Sequence, residues 1–398
     1  MRSFYPIIFA IAFILFVGII EIALLRLLNK VWWKRKFIRR GAMALPIIGS
    51  IMVLVWGLGE YHTISWLAYI GAVLAVLTFM CEVALMLSLP VSGVIHLIHA
   101  LKVHLAKKRK GGRDVGVDQN RRDFLKATAA AVPLITIAGS VSGVTKSFSD
   151  VKVYKREMLI ANLSSDFEGL KILHISDPHL RHYVTLSDLE QVCTDAAAFS
   201  PDLTLVTGDV ADDLRQLSDA LKMVYDLKSP LGTFACLGNH EYYRGIEEVH
   251  RIYDKSPVPL LVDEAVGVPV KNSVLMIGAT DDPVSFGSKH QEFYSNCLDF
   301  ILTRHGLGDF SVLMAHRPDA LDNASEQGFN LVLSGHTHGG QIGFMGRSAF
   351  EGAWPDRYLW GEYSRGKTKL YTSSGVGHWF PFRLGCPREA PILELHRA

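Results

Sequence analysis

KILHISDPH, at residues 171–179, is a short and mostly apolar run that ends in an aspartate and a histidine. A run of this kind predicts a buried strand. Asp177 and His179 then stand just beyond the strand end, where a sheet can present them to a ligand. Four later runs have the same form and occupy residues 203–207, 233–237, 311–315 and 331–334.

The segments that follow the four later runs are rich in Asp, Asn, His and Gly. They are Gly208-Asp209, Gly238-Asn239-His240-Glu241, His316 and Gly335-His336-Thr337-His338. Residues 186–199 and 214–227, between the strands, have the periodicity of amphipathic helices. Strands that alternate with helices predict an α/β architecture. In such sheets the polar groups converge at the carboxyl edge of the strands.

The residue types in these segments are those that bind divalent metal ions. Carboxylates supply anionic oxygens and can bridge two cations. Imidazole nitrogens suit zinc, manganese or iron, and an Asn oxygen completes a coordination shell without adding charge. The ligands are numerous enough for two adjacent cations, an arrangement that promotes attack on phosphate esters.

Other polar residues near these segments are expected to have structural roles. Asp212 and Asp213 are predicted to cap the helix that begins near Leu214. Glu241 is predicted to support the site from outside the ligand set or to face solvent. His174, on the strand that precedes Asp177, is expected to be a packed residue.

Taken together, the five segments resemble the calcineurin-like metallophosphoesterase superfamily, and the resemblance extends over residues 168–396. The last motif continues as Gly339-Gly340-Gln341, and it is followed by Gly375-Val376-Gly377 and Pro381-Phe382-Arg383. These three segments are similar to a bacterial membrane-associated or exported branch. The resemblance implies an α/β fold with a central β-sandwich flanked by helices, and a dimetal site at one edge.

The resemblance also implies a role for each motif residue. A first divalent ion would be held by Asp177, His179, Asp209 and His338. A second would be held by Asp209, Asn239, His316 and His336. Asp209 would bridge the two ions, which could be manganese, zinc or iron. His240 would contact the phosphate and protonate the leaving group, while a hydroxide shared by the two metals attacks phosphorus.

The first part of the chain consists of long apolar runs broken by basic clusters. Residues 5–25, 42–59 and 64–81 each approach the roughly 20 residues needed to cross a bilayer. Residues 83–101 contain a proline and two histidines, and could cross, kink or lie in the interface. We therefore expect a multi-pass transmembrane helical region over residues 1–101.

Charge placement predicts the orientation of these runs. Glu21 is the only charged residue in the first run, and six basic residues follow it within residues 30–40. Residues 102–126 contain nine basic and three acidic residues, which is typical of a cytoplasmic linker. Basic loops generally face the cytoplasm. Both segments are therefore expected there, with an even number of membrane crossings between them.

NRRDFLK, at residues 120–126, resembles the twin-arginine export signal, whose pattern is Arg-Arg-x-Phe-Leu-Lys. An uncharged, Ala-rich stretch follows it. The alternative is that the two arginines belong to a positive-inside flank. The export interpretation predicts an uncleaved anchor over residues 127–146 and a partnership with the twin-arginine export machinery. It places the metallophosphoesterase domain, residues 150–398, on the periplasmic or extracellular side.

Composition sets further limits. A net charge of +2 over 398 residues argues neither for nor against nucleic acid, and no nucleic-acid partner is expected. The five cysteines have no CxxC spacing, which argues against a zinc ribbon. Buried free thiols are favoured, and a disulfide is the alternative.

The sequence thus predicts a bacterial inner-membrane protein with an exported, metal-dependent phosphoesterase domain. The leading function is hydrolysis of a phosphodiester or pyrophosphate bond. The membrane anchor favours a lipid-linked or envelope substrate, with membrane lipids as neighbours. The alternatives are hydrolysis of phosphomonoesters or nucleotides, and a membrane sensor that binds metal without catalysis.

Aromatic residues gather late in the chain. They are Trp354, Tyr358, Trp360, Tyr363 and the aromatic residues of 378–382. One interpretation is ordinary packing. The other is a rim that touches the bilayer or a lipid tail, because Trp and Tyr favour membrane interfaces.

Overall fold

The computed structural model describes residues 5–109, 119–284, 289–354, 357–378 and 380–398. The chain divides into two compact units. The first contains the helices up to Lys146 together with Phe380–Phe382, and the second contains Ser147–Trp379 and Arg383–Ala398. Apolar residues form buried clusters in each unit. All five cysteines are free thiols, as expected.

The helical unit is built from long apolar helices. α1 (Tyr5–Leu28) is connected through the short α2 (Lys30–Trp33) to α3 (Lys36–Tyr61). α4 (Ser65–Arg109) and α5 (Gln119–Lys146) follow. Within the described residues, four segments are long and apolar enough to cross a membrane. They are Tyr5–Leu28, Lys36–Tyr61, Ser65–Lys102 and Asp123–Lys146.

α4 is longer than the sequence pattern indicated. Residues 64–81 and 83–101, expected as separate stretches, lie almost entirely in this one helix. Pro90 lies inside it. A proline in an apolar helix removes one backbone donor without ending the helix when neighbouring helices support it. Two long helices, α3 and α4, therefore separate the two basic segments.

α1 and α4 run in the same direction. Toward the start of each helix, the rings of Phe13 and Phe79 lie 5.6 Å apart. Just after the end of α1, Nδ2 of Asn29 donates a hydrogen bond to the carbonyl oxygen of Leu89 at 3.1 Å. Later residues of α1 thus contact later residues of α4. The two helices are parallel, and their carboxyl ends lie on the same side of the helical unit.

α3 and α4 pack closely through glycines. A Cβ atom on Gly71 would lie 2.3 Å from the backbone nitrogen of Trp56. A Cβ atom on Gly59 would lie 2.3 Å from the backbone nitrogen of Ala68. Small residues permit this close backbone approach between membrane helices. The α3–α4 pair therefore depends on the absence of side chains at these two positions.

Gly71→Ala is expected to destabilise the helical unit, because the new methyl group would overlap the backbone of α3. Overpacking of this kind costs about 1–3 kcal/mol. Gly41→Ala is the matched control, since no atom lies within 4 Å of a Cβ at that position. Thermal unfolding of the full chain in detergent measures the difference. Equal Tm values for the two variants would contradict the packing argument.

The second unit contains two large β-sheets. The five-stranded sheet has the order β1-β13-β2-β3-β4, with β1 (Lys152–Ile160), β2 (Lys171–Ile175), β3 (Leu203–Thr207), β4 (Thr233–Cys236) and β13 (Glu389–Arg397). The six-stranded sheet has the order β11-β12-β8-β7-β6-β5, with β5 (Glu264–Val270), β6 (Ser273–Ala279), β7 (Phe310–Met314), β8 (Leu331–Ser334), β11 (Gly361–Arg365) and β12 (Thr368–Thr372). A small hairpin pairs β9 (Gly343–Phe344) with β10 (Arg347–Ser348). β2, β3 and β4 are mutually parallel, as are β6, β7 and β8.

Helices cover the outer face of each sheet. On one side Leu189 packs in a buried cluster with Val206 of β3. On the other, Leu298 packs in a cluster with Val332 of β8. The helices of this unit are α6 (Leu186–Ala197), α7 (Leu217–Tyr225), α8 (Asn239–Arg244), α9 (Ile246–Tyr253), α10 (His290–His305) and α11 (Leu321–Glu326).

A third apolar core lies between the two sheets. Ile172 and Leu205 of the first sheet pack in one buried cluster with Ile277 and Val312 of the second. Sheets whose inner faces share a core form a β-sandwich. The architecture is therefore the expected one, an α/β fold with a central β-sandwich flanked by helices, preceded in the chain by apolar helices.

Candidate metal centre

The seven predicted ligands follow the carboxyl ends of five strands. Those after β2, β3 and β4 are Asp177, His179, Asp209 and Asn239. Those after β7 and β8 are His316, His336 and His338. Because close clusters combine residues from both groups, the site lies at an edge that the two sheets share.

Four of these residues form one tight cluster. Nε2 of His179 lies 3.2 Å from Nε2 of His338. The same atom lies 3.5 Å from Oδ2 of Asp209 and 3.7 Å from Oδ1 of Asp177. Nε2 of His338 lies 3.4 Å from that Asp177 oxygen. All four side chains are buried, and they are the set that the resemblance assigns to the first metal.

A second cluster contains Asp209, His316 and His336, whose ligand atoms lie within 4.8 Å of one another. Nδ1 of His316 is hydrogen-bonded to the carbonyl oxygen of Thr207 at 2.7 Å. A carbonyl can only accept, so Nδ1 carries the proton and Nε2 keeps its lone pair when the ring is neutral. That Nε2 atom lies 3.2 Å from Oδ2 of Asp209. Asp209 therefore belongs to both clusters.

The donor atoms fit divalent metal ions. Nε2 of His316 and Oδ1 of Asn239 are buried without a hydrogen-bond partner in the part of the chain described, although such atoms are nearly always paired. Burial lowers the pKa of His338 to about 3. Burial, with His316 and Arg317, holds the pKa of His336 well below its ordinary value. His336 and His338 are therefore neutral at pH 7, the form that binds metal.

The two aspartates concentrate negative charge in this cluster. Burial opposes the ionised form of Asp177, but neighbouring histidines, among them His179 and His316, outweigh it and hold the pKa well below its ordinary value. Burial also opposes a charge on His316, but Asp209 outweighs it and raises the pKa of that imidazole to about 10. The carboxylates therefore attract positive charge to the positions that the ligand atoms surround.

Glu241 holds two of the ligand loops together. Its Oε2 accepts hydrogen bonds from the backbone nitrogens of Asp209 and Gly238, both at 2.9 Å. Its Oε1 accepts one from the backbone nitrogen of Val210 at 2.9 Å. The side chain is buried, so it supports the ligands from outside their set, and the solvent-facing alternative is wrong.

Several of the predicted ligand residues have an uncommon backbone conformation. The φ angles of Asp177, Asp209 and His336 are 52°, 52° and 66°. Such conformations cost non-glycine residues about 1–3 kcal/mol each and persist only where the surroundings hold them. Both Oδ atoms of Asp177 accept from the backbone nitrogen of His336, at 3.1 and 3.0 Å. A Cβ on Gly335 would lie 2.0 Å from Oδ2 of Asp177, so this close approach requires glycine.

Asp212 positions the predicted catalytic histidine. A hydrogen bond of 2.6 Å joins its Oδ1 to Nδ1 of His240, and its Oδ2 lies 3.5 Å from Nδ1 of His179. A carboxylate accepts, so Nδ1 of His240 is the donor. The capping role expected for Asp212 is therefore wrong, whereas Asp213 does cap the turn that follows. The position of Asp212, three residues after Asp209, was the feature of the sequence that could have indicated a role at the site.

Two arginines that were not predicted also contact histidine ligands. Nη1 of Arg317 donates to Nε2 of His336 at 3.0 Å, and the same guanidinium pairs with Asp282 at 2.9 Å. Nη2 of the buried Arg383 lies 3.3 Å from Nδ1 of His338. The sequence identifies Arg383 only as part of a family-like segment, and nothing in its local sequence indicates which residue it contacts.

The remaining predictions concern side chains outside the ligand set. His174 is buried in β2, and burial lowers its pKa to about 3, so it is the packed residue expected. Among the late aromatic residues, Trp360 and His378 are buried, which agrees with packing. Trp354 is 54% exposed and retains the exposure that a rim requires. Trp379 lies outside the described residues.

Comparison with known proteins agrees with this geometry. A family model for calcineurin-like phosphoesterases matches residues 170–340. An uncharacterised metallophosphoesterase of Campylobacter jejuni is 31% identical over 290 residues, which are 72% of this chain and 73% of the relative. The phosphodiesterase YaeI of Escherichia coli is 28% identical over 284 residues, 69% of this chain and 99% of the relative.

A third relative also matches the helical unit. A Danio rerio protein described as a transmembrane protein with metallophosphoesterase domain is 26% identical over 424 aligned positions. The match covers 98% of this chain and 90% of that relative. Together with the four apolar helices, this likeness indicates membrane association.

The sandwich fold and the buried Asp and His clusters define a metal-dependent phosphoesterase. The chain belongs to the calcineurin-like metallophosphoesterase family. Its set of donor atoms suits divalent metal ions. The reaction that it catalyses is the hydrolysis of a phosphoric ester.

Asp212→Asn is expected to lower phosphodiesterase turnover by about 10–100-fold, the usual effect of losing a residue that orients a site histidine. The predicted ligands are intact in this variant, so bound metal, counted by elemental analysis, should fall less than turnover. Asp213→Asn is the matched control and should retain turnover, because Asn also caps helices. Equal turnover of the two variants would show that Asp212 does not position His240.

Proposed function

We propose that the protein hydrolyses phosphodiester or pyrophosphate bonds at a centre of two divalent metal ions. The observation that carries this proposal is that Asp209 lies against both ligand clusters, 3.5 Å from His179 in the first and grouped with His316 and His336 in the second. The first ion is assigned to Asp177, His179, Asp209 and His338. The second is assigned to Asp209, Asn239, His316 and His336. The mixed oxygen and nitrogen donors support manganese, zinc or iron as the ions.

Two ions bound here would supply an activated hydroxide and neutralise charge on the phosphate oxygens. The residues of the chain determine where substrate and proton donor lie. The backbone nitrogen of His240 donates to Oδ1 of Asp209 at 2.8 Å. The centre of the His240 ring lies 4.5 Å from the centre of the His179 ring. Nδ1 is engaged by Asp212. Nε2 is then the nitrogen that contacts the phosphate and protonates the leaving oxygen.

The proposed substrate is a lipid-linked or envelope molecule that contains such a phosphate bond. Two observations support it. Within the described residues, four helices are long and apolar enough to cross a membrane, and an enzyme attached to a membrane favours a membrane-bound substrate. Trp354 also exposes a large aromatic surface. Hydrolysis of phosphomonoesters or nucleotides, and metal binding without catalysis, are the alternatives that the assay below distinguishes.

The full chain in detergent is expected to hydrolyse bis(p-nitrophenyl) phosphate when manganese is added, and EDTA should remove the activity. Asp209→Ala deletes the carboxylate shared by both clusters, and His240→Ala deletes the proton donor. Each should lower turnover by at least about 100-fold, the lower end of what a lost acid catalyst costs. Asp219→Ala, at an exposed position on α7, is the control and should retain turnover.

The outcomes separate the candidate functions. Undiminished turnover of the Asp209 or His240 variant would rule out the mechanism. Hydrolysis of p-nitrophenyl phosphate without hydrolysis of the diester would favour the monoesterase. If the wild-type protein binds manganese but turns over neither ester, the non-catalytic sensor is favoured.

We also propose that the protein resides in a bacterial inner membrane with its catalytic unit outside the cytoplasm. The parallel packing of α1 and α4 supports this topology, because it directs the carboxyl ends of both helices to one side. Basic segments follow each of those ends, and basic segments favour the cytoplasm. α5 would then cross outward. Residues 120–126 begin this helix, and the twin-arginine route is the proposed carrier because it transports folded domains.

Reporter fusions test the topology. A fusion after Gly111 is expected to report the cytoplasm, and one after Asp150 the outside. A third fusion after Thr63, between α3 and α4, should also report the outside and serves as an internal control. Each fusion is made with two reporters, one active only outside the cytoplasm and one active only inside it. The measurement is the ratio of the two reporter activities. A cytoplasmic signal after Asp150 would contradict export and favour a cytoplasmic substrate.

A further inference from the structure

Two glutamates are buried within the apolar helices of the helical unit. Glu21 on α1 is 1% exposed, and Glu82 on α4 is 0% exposed. Each lies inside a segment that is long and apolar enough to cross a membrane. Ionisable groups are expensive in hydrocarbon and are generally associated with function when they occur there. The phosphoesterase chemistry does not use either residue.

Packing of the two helices brings these side chains to the same level. Phe13 meets Phe79 toward the start of the parallel pair, and Asn29 meets Leu89 toward its end. Glu21 and Glu82 both lie between those two contacts, and their carboxyl groups interact electrostatically with each other. The thiol of Cys81 interacts electrostatically with both glutamates.

Among the residues that the structure describes, no positive side chain interacts with either glutamate. Oε2 of Glu21 and both carboxyl oxygens of Glu82 are buried and without a hydrogen-bond partner among the residues that the structure describes. Residues 41–101, which include most of α3 and α4, contain no lysine or arginine. A buried carboxylate without a partner costs several kcal/mol, so these oxygens require a cation.

Neighbouring hydroxyl groups are already engaged elsewhere. Oγ1 of Thr78, one turn before Glu82, donates to the carbonyl oxygen of Leu74 or Ala75, both at 2.9 Å. Oγ of Ser140 on α5 is likewise paired, at 3.0 Å from the carbonyl oxygen of Met80. The hydroxyls therefore satisfy helix carbonyls, and they leave the carboxyl oxygens of Glu82 as unused acceptors.

We propose that Glu21 and Glu82 form an intramembrane cation site, which takes up a proton or a small metal cation. Their shared chemistry is that of paired carboxyl oxygens, which bind protons and hard cations such as Na⁺, Mg²⁺ or Ca²⁺. Two carboxylates that interact with each other in a medium of low dielectric do not both remain ionised without such a cation. The helical unit then contains a binding site of its own and is more than an anchor for the catalytic unit.

Carbodiimide labelling of the full chain in detergent and in lipid vesicles tests the site. Dicyclohexylcarbodiimide reacts with protonated carboxyl groups in apolar surroundings, and peptide mass spectrometry locates the adduct. An adduct is expected at Glu21 or Glu82 in a buffer without metal cations. It should be lost in the double variant Glu21→Gln with Glu82→Gln. Glu60→Gln, at the end of α3, is the matched control and should retain the adduct at the pair.

Adding Na⁺, Mg²⁺ or Ca²⁺ distinguishes the two kinds of cation. If a metal cation is the ligand, it should suppress the adduct and raise the Tm of the wild-type chain but not of the double variant. If a proton is the ligand, labelling should fall as the pH rises and should not respond to these ions. The proposal is wrong if neither glutamate is labelled and no cation raises the Tm of the wild-type chain above that of the double variant. Turnover of bis(p-nitrophenyl) phosphate, expected to persist in the double variant, reports separately on folding and on the phosphoesterase.

Discussion

The catalytic unit is organised around one buried carboxylate, that of Asp209. It belongs to both ligand clusters, and a buried carboxylate that lacks compensation is strongly destabilising. Several neighbouring groups compensate the negative charge of Asp209. His179 and His316 approach its oxygens, the backbone nitrogen of His240 donates to it, and Glu241 fixes the loop that carries it. These partners come from strands of both sheets, so the sandwich must close before the charge of Asp209 is balanced.

This constraint explains why the surrounding backbone departs from regular geometry. Ligand atoms from different strands must come within about 4 Å of one another to share small cations. Extended strands end too far apart for that, and the chain turns sharply after each strand instead, with positive φ at Asp177 and His336. Gly335 allows one such turn to rest against the Asp177 carboxylate. The strained loops bring the ligand atoms together, and bound cations would in turn stabilise this strained arrangement.

The parts of this design that could be predicted from the sequence are those encoded locally. Each ligand directly follows an apolar run, and the five expected runs coincide with β2, β3, β4, β7 and β8 to within about one residue. Asp212 and Arg383 were misjudged or missed because their roles depend on loops that meet only in the folded chain. The pairing of β1 with β13 joins residues such as Lys152 and Glu389 across most of the domain, and no local pattern reveals it. The continuity of α4 was missed because the charged Glu82 interrupts the apolar pattern between residues 64–81 and 83–101, whereas the helix continues through it.

Buried carboxylates occur in both units, and the difference in their surroundings suggests a difference in what they bind. Asp177 and Asp209 lie among histidines whose neutral nitrogens can complete a shell around ions of charge +2. Oε2 of Glu21 and both carboxyl oxygens of Glu82 have no hydrogen-bond partner in the part of the chain described, and the hydroxyls of Thr78 and Ser140 are engaged with helix carbonyls. With few additional donors, such a pair suits a proton or a hard ion that accepts oxygen ligands alone. The imidazoles of the sandwich edge therefore favour transition metals there, because carboxyl oxygens alone give such metals no advantage over harder cations.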